Sequence, residues 1–188
     1  TGAIDIPGSA VPQITNLTVN NANGAIFGGS LLENVLISSG TLTQGADVSI
    51  SGDFTNNGIY THGNTTVTFT GNLDPQDIGG SSVTNFYNVE LNKTAGDELL
   101  LLNNIGIAGN WSNDQGDFSG NFEVSFNGTG AQLIGGANST TFHEINISNT
   151  LGSVTLGQPT TIDDELSFTG GRLTLGSNDL TLNTNNVT

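Results

Sequence analysis

Acidic side chains are the groups in this sequence whose types and spacing could do chemistry. The three densest groupings are the run Asp163, Asp164 and Glu165, the pair Asp74 and Asp77, and the pair Asp114 and Asp117. A hard cation such as calcium takes about six to eight oxygen ligands, and none of the groupings has the spacing of a calcium-binding loop or of the glycine-rich nonapeptide repeat. We interpret them as solvated corners, with a calcium ion at Asp163, Asp164 and Glu165 as the alternative.

Catalysis on a sugar chain would require paired carboxylates, or a base beside a cationic stabiliser. The chain has two basic residues, Lys93 and Arg172, and two histidines, His62 and His143. The histidines fall at different repeat positions and share no partner spacing, which favours exposed polar positions over a metal or acid–base pair. We therefore expect no catalytic residues, no resident cofactor and no enzymatic activity.

The charge of the chain excludes several classes of partner. Two basic residues against 17 acidic ones give a formal net charge of -15, so phosphate backbones and anionic membranes are repelled. No apolar run approaches the roughly 18 residues that a membrane helix needs. Cysteine is absent, which excludes disulfides and thiolate metal sites. There is no signal peptide, so any export signal has been removed or lies outside this segment.

The elements that must position these groups are organised by a long internal repeat, which extends from Gly52 to Leu91 and begins again at Gly109. Apolar residues and glycines match at one constant interval: Gly52 with Gly109, Phe54 with Trp111, Gly63 with Gly120, Val67 with Val124, Phe69 with Phe126 and Gly71 with Gly128. After a slip of one position, Phe86, Val89 and Leu91 recur as Phe142, Ile145 and Ile147. Repetition of this kind defines the architecture, and Trp111 is expected to fill the core as Phe54 does.

A difference between two intervals indicates how the copies are built. The interval from Leu17 to Val89 is longer than the interval from Val89 to Ile145, so a block has been gained or lost between copies. The extra block, from Leu36 to Ile50, returns from Phe168 to Leu182, with Gly40, Leu42 and Gly45 facing Gly171, Leu173 and Gly176. The difference is about the size of one coil of a solenoid, and whole-coil insertions preserve stacking. This favours a solenoid over a β-sandwich.

Short runs such as Val67-Thr68-Phe69 alternate apolar with polar residues, and Asn-Gly or Gly-Gly pairs separate them. Alternation with period two predicts strands with every second side chain inward, and the glycines suit tight corners. The sequence therefore predicts an all-β chain, a parallel β-helix of three faces with Gly and Asn corners. Residues 1–13 form a lead-in or irregular first coil, and 14–188 hold the repeats, in units from about 14, 83 and 140.

Four phrases, GDFTNNGIYTHGNTTVTFTG, TNFYNVELNKTAG, GNWSNDQGDF and LSFTGGRLTLGSNDLTLN, resemble the repeats of very large secreted surface proteins of Bacteroidota. The likeness covers roughly residues 14–185. Such proteins commonly leave the cell through type IX secretion and behave as adhesins or surface fibres, so the resemblance implies a secreted, extracellular or cell-surface location. It carries over no catalytic residues.

Together these observations predict a structural, adhesive filament segment. Neither terminus resembles a solenoid cap, so open β-edges are expected to join other copies or neighbouring repeats end to end. The alternative is a carbohydrate-binding or polysaccharide-degrading β-helix, with surface glycans as partners, because Tyr60 and Tyr87 lie near polar corners and exposed aromatic rings stack on sugars.

Overall fold

The chain is a parallel β-solenoid without helices in the described residues, which confirms the predicted fold class. The computed structural model describes residues 14–29 and 31–188, together with the backbone of Ile4–Ile6. Of the predicted lead-in, only that short strand is described, and it pairs in parallel with Ala25–Phe27; the rest lies outside the described residues. The strands are β1 Ile4–Ile6, β2 Ile14–Phe27, β3 Leu31–Gln44, β4 Val48–Ile50, β5 Phe54–Asn56, β6 Ile59–Thr61, β7 Thr66–Gly71, β8 Gln76–Gly79, β9 Thr84–Phe86, β10 Asn88–Lys93, β11 Glu98–Leu101, β12 Ile105–Ile107, β13 Trp111–Gln115, β14 Asp117–Gly120, β15 Glu123–Phe126, β16 Gln132–Gly136, β17 Thr140–Ser148, β18 Val154–Leu156, β19 Thr160–Gly170, β20 Leu173–Thr174, β21 Leu180–Leu182 and β22 Asn186–Val187.

The strands lie on three faces that the chain visits in the order A, B, C. Face A contains β4, β7, β10, β13, β16, β18 and β20. Face B contains β5, β8, β11, β14, the first parts of β17 and β19, and β21. Face C contains β6, β9, β12, β15, the second parts of β17 and β19, and β22. Strands β2 and β3 each run over all three faces without a break. The described strands make about nine turns.

The core is a set of apolar columns that run along the solenoid axis. On face A, each turn places one side chain directly above the last, in the column Val48, Val67, Val89, Trp111, Ile134 and Leu156. All six are at most 6% exposed. Burying one such side chain contributes about 1.5–3 kcal/mol. Because each turn buries the next one, stability comes from stacking between turns.

The sequence repeat and the structural turn have different lengths. One turn separates Asn16 from Asn34, 18 residues on, and one turn separates Asp53 from Asp77, 24 residues on. The long repeat, from Phe54 to its counterpart Trp111, contains eight successive strand segments, which is two and two-thirds turns. Phe54 therefore lies on face B and Trp111 on face A. Each copy is rotated by one third of a turn relative to the copy before it.

The insertion inferred from the unequal intervals is one complete turn. Leu17 and Val89 are separated by eleven strand segments, and Val89 and Ile145 by eight. The difference of three segments is one passage over faces A, B and C. The stacking of the surrounding turns is unchanged by such an insertion, because every strand returns to the same face.

Each copy of the repeat builds one cluster of four aromatic rings. In the first cluster, Phe86 contacts Phe54, Tyr60 and Phe69 at centroid distances of 5.3, 5.4 and 6.0 Å. In the second, Phe142 contacts Trp111, Phe118 and Phe126 at 5.2, 5.5 and 6.2 Å. The rings meet edge to face or tilted, which is the favourable arrangement for aromatic pairs. Trp111 is fully buried, so its predicted role as a core residue is confirmed.

Asparagines stacked over glycines couple successive turns. A Cβ on Gly52 would lie 2.2 Å from Asn34 Oδ1, and one on Gly109 would lie 2.3 Å from Asn88 Oδ1. In both places the same asparagine oxygen accepts the backbone N–H of the residue after the glycine, at 2.8 Å. The repeat thus requires glycine at these positions because an asparagine of the preceding turn occupies the space of a side chain.

Candidate functional site

The three acids of the predicted calcium site turn towards three different partners. Asp163 Oδ1 accepts a hydrogen bond from Asn183 Nδ2 at 2.7 Å, and Glu165 Oε1 accepts one from Thr188 Oγ1 at 2.8 Å. Asp164 instead lies 3.5 Å from His143 Nε2. Among the described residues, the group whose ligand atoms converge contains Asp164 but neither of its neighbours. Calcium binding by all three acids stays a prediction that these contacts do not favour.

A β-bulge in β19 creates this divergence. The register between β17 and β19 runs from Phe142 opposite Ile162 to Glu144 opposite Glu165, so Asp163 and Asp164 together face the single residue His143. A bulge redirects side chains that regular alternation would place on opposite faces. Here it turns Asp164 back towards the preceding turn, while Asp163 contacts the following one.

The converging group consists of His143, Glu144 and Asp164, whose ligand atoms all lie within 4.8 Å of one another. His143 Nε2 is 3.6 Å from Glu144 Oε1 and 3.5 Å from Asp164 Oδ2. The side chains are 27%, 31% and 56% exposed, in that order, so solvent reaches the group. The repeat positions of the two histidines do not indicate a partner for His143, but the register of β17 with β19 brings Asp164 of the following turn beside it.

A column of three glutamates runs beside the group. Glu123, Glu144 and Glu165 occupy the same register position in successive turns of face C. Strands in register are about 4.8 Å apart, so the carboxylates repel one another. Burial raises the pKa of Glu123, a hydrogen bond from Asn146 opposes the shift, and the charges of Glu144 and Glu165 raise the pKa further. In the described part of the chain, neither lysine nor arginine forms an ion pair with these acids.

The other two predicted acidic groupings serve the backbone at corners. Asp74 Oδ1 accepts the N–H of Glu98 at 2.9 Å, and Asp114 Oδ1 accepts that of Ala137 at 3.1 Å. Asp114 and Asp117 also line an open groove of about 430 Å³. These carboxylates tie one turn to the next, which supports their interpretation as corner residues.

Asp77 lies within strand β8, opposite Leu100, and not at a corner as the sequence suggests. Its Oδ1 atom is buried and has no hydrogen-bond partner. Burial raises the pKa of Asp77, and the charges of Asp53 and Glu98 raise it further. The folded protein therefore binds this proton more tightly than the unfolded chain does.

Lys93 is a structural cation and not part of a site. Only 2% of the residue is exposed, and its Nζ atom donates to the carbonyl of Leu73 at 2.9 Å and to Gln76 Oε1 at 3.1 Å. Burial lowers the pKa of Lys93, while nearby aspartates, Asp97 first among them, oppose the shift. The lysine thus satisfies polar groups inside a corner.

The two tyrosines proposed as sugar platforms have different environments. Tyr60 is buried, and its hydroxyl donates to Gln44 Oε1 inside the solenoid. Burial raises the pKa of Tyr60. Tyr87 is half-buried, and its ring centroid lies 5.5 Å from that of His62, whose pKa is lowered by burial. Of the two, Tyr87 alone can present a ring face to a ligand.

No family model matches the chain, and neither a curated protein nor a solved structure matches it significantly. The described residues also include no helix long and apolar enough to cross a membrane. Arguments about function therefore depend on the contacts of the chain's own side chains.

Proposed function

We propose that this protein is a structural, non-enzymatic scaffold: a segment of a stalk or filament that stacks end to end with further turns of the same kind. The observation that carries the proposal is that the repeat reproduces packing. Two equivalent aromatic clusters recur, whereas His62, Asp74 and Asp77 have no counterpart in the second copy. A repeat maintained for catalysis or metal binding would reproduce ionisable side chains, and this one reproduces aromatic rings and glycines.

The last described turn supplies the surface for end-to-end contact. Leu182 pairs with Ile162 and Val187 with Leu166, so both continue buried columns of the core. Ile162 and Leu166 are at most 3% exposed, but Leu182 is 38% and Val187 51% exposed. These side chains hold core positions, and no described residue covers them.

The occupant that fits this surface is another turn of the same solenoid type, from a second copy or from neighbouring repeats. Covering one uncovered aliphatic side chain contributes up to about 1.5–3 kcal/mol. Strands β21 and β22 pair on one side only among the described strands, so a further strand can hydrogen-bond to their other edge. The apolar columns and the strand edges of the last described turn together fit a partner whose turns have the same three faces.

An extracellular or cell-surface location and an adhesive role belong to the same proposal. They are supported by the resemblance of the four repeat phrases to surface proteins of Bacteroidota, and by the acidic composition, with a formal net charge of -15. A regular ladder of hydrogen bonds supplies stability without disulfides, so the absence of cysteine is compatible with this location.

The test is sedimentation velocity over a range of concentrations, combined with electron microscopy of the purified chain. We expect rods whose length grows with concentration, and we expect Leu182→Asp together with Val187→Asp to hold the protein monomeric. Leu151→Asp is the matched control, because Leu151 is 77% exposed and lies at an outward corner between β17 and β18. Monomers at every concentration, or equal loss of association with Leu151→Asp, would refute end-to-end stacking.

A second function, glycan binding, has one observation in its favour. The rings of Tyr87 and His62 lie side by side at a half-buried corner, where they could stack on a sugar. A glycan array with Tyr87→Ala as the control variant tests it, and a reducing-sugar assay tests cleavage. Glycan binding that Tyr87→Ala abolishes would support this function. No binding and no cleavage would support the scaffold function alone.

A further inference from the structure

We propose that His143, Glu144 and Asp164 form a binding site for a borderline divalent cation of the zinc class. The site is distinct from the calcium site predicted at Asp163, Asp164 and Glu165, because it uses one imidazole nitrogen and excludes Asp163 and Glu165. It is also independent of end-to-end stacking, since it lies on the side of the solenoid and not at its end.

The two distances from the imidazole to the carboxylates fit a single ion. Ligands about 2.0–2.2 Å from a tetrahedral zinc ion lie about 3.3–3.6 Å from one another. His143 Nε2 lies 3.6 Å from Glu144 Oε1 and 3.5 Å from Asp164 Oδ2. An ion can therefore enter between the imidazole and the two carboxylates without a large movement of the backbone.

The donor set selects the class of metal. One nitrogen and two carboxylates suit zinc and its neighbours in the first transition row, whereas calcium and magnesium take oxygen ligands. Three protein ligands leave the fourth position of a tetrahedral ion for water or another ligand. The side chains are 27–56% exposed, so the open position faces solvent.

Two features favour a cation at this group: a β-bulge in the backbone and a local excess of negative charge. The bulge that sets Asp163 and Asp164 opposite His143 is what turns the Asp164 carboxylate towards the imidazole. The column of Glu123, Glu144 and Glu165 concentrates negative charge beside the group, and no lysine or arginine among the described residues pairs with it. A divalent ion would relieve this repulsion.

The test is calorimetric titration of tag-free protein with zinc chloride and, separately, with calcium chloride. We expect one zinc ion per chain, with binding at least about tenfold weaker in His143→Gln and in Asp164→Asn, which remove one ligand each. Two matched controls should bind as the wild type does. His62→Gln removes the other histidine, and Asp163→Asn changes the acid that contacts Asn183 instead of the group.

A second readout separates a metal site from a simple ion pair. Cobalt(II) should give visible absorption bands of a low-coordinate ion with the wild type and with Asp163→Asn, but not with His143→Gln. Zinc should also raise the melting temperature of the wild type but not that of His143→Gln, since a ligand that binds the folded state stabilises it. Unchanged zinc affinity in His143→Gln, equal loss in His62→Gln, or tight binding of calcium without zinc would each overturn the proposal.

Discussion

Replacing Gly109 with alanine should destabilise the fold through a clash with the preceding turn. The new Cβ would lie 2.3 Å from Asn88 Oδ1 and 2.8 Å from the carbonyl oxygen of Tyr87. Both distances are shorter than real Cβ contacts, so the turns must separate or Asn88 must move. Overpacking of this kind costs about 1–3 kcal/mol, a sizeable part of a typical stability of about 5–15 kcal/mol.

The energetic coupling between Gly109 and Asn88 can be estimated from the same contacts. Asn88→Ala alone removes the acceptor for the N–H of Asn110, at 2.8 Å, which should cost about 0.5–1.5 kcal/mol. In the double variant the alanine at 109 no longer meets Asn88 Oδ1, and only the contact with Tyr87 remains. We therefore expect the double variant to be more stable than the sum of the single changes predicts, by about 0.5–1.5 kcal/mol.

Urea unfolding followed by the fluorescence of Trp111, the only tryptophan, measures these free energies close to the change. Gly130→Ala is the control, because its Cβ would meet no atom within 4 Å. Alanine there should be neutral or stabilising by up to about 1 kcal/mol, since it restricts the unfolded chain. The reasoning fails if Gly109→Ala is as benign as Gly130→Ala, or if the double variant equals the sum of its parts.

Three further predictions test the columns, the turns and the buried charge. Trp111→Ala should lower the free energy of unfolding by about 3–5 kcal/mol, measured by chemical unfolding followed by circular dichroism. Trp111→Phe should lower it clearly less, because phenylalanine fills the equivalent position of the other copy. Equal losses in the two variants would contradict this. Deleting residues 35–53, one complete turn by the register of the strands, should leave a β-rich circular dichroism spectrum and one cooperative unfolding transition. Deleting residues 44–53, which is part of a turn, should abolish both. Similar behaviour of the two deletion variants would contradict the stacking of whole turns. Because the pKa of Asp77 is raised in the folded state, its protonation gives stability below the unfolded pKa of about 3.9, and that stability is lost as pH rises through the folded pKa. Asp77→Asn should therefore raise the melting temperature in calorimetry at pH 7 and not at pH 3. A rise at pH 3 and not at pH 7 would show that the pKa of Asp77 is not raised.

The fold could be predicted from the sequence because its signals are local and repeated. Alternation in runs such as Val67-Thr68-Phe69 assigns the strands, and the block from Leu36 to Ile50, present in one copy and missing from the next, indicates a turn as the unit of insertion. Which face a residue occupies could not be predicted. That depends on the corners, whose unequal lengths make the turn vary from 18 to 24 residues.

The candidate site could be predicted only in part, for the same reason. Asp164 was found as a member of an acidic run, but its partner His143 lies in the preceding turn and is matched to it only by the register of β17 with β19. The bulge at Asp163 and Asp164 then shifts the pairing by one position, which no local pattern reveals. The pairing of Phe142 with Ile162 alone would align His143 with Asp163, and the bulge is what brings Asp164 beside it.

The rotation between copies limits what the repeat can do. Because one copy makes two and two-thirds turns, equivalent outward residues of successive copies point to different faces, and the series returns to the first face only after three copies. A ligand-binding row built from the equivalent residues of successive copies would require repeats of whole turns, so the long repeat does not build such a row. The inward residues are unaffected by the rotation, since all three faces share one core. Ligand recognition by this solenoid should therefore reside in single places that the repeat does not reproduce, such as the group around His143.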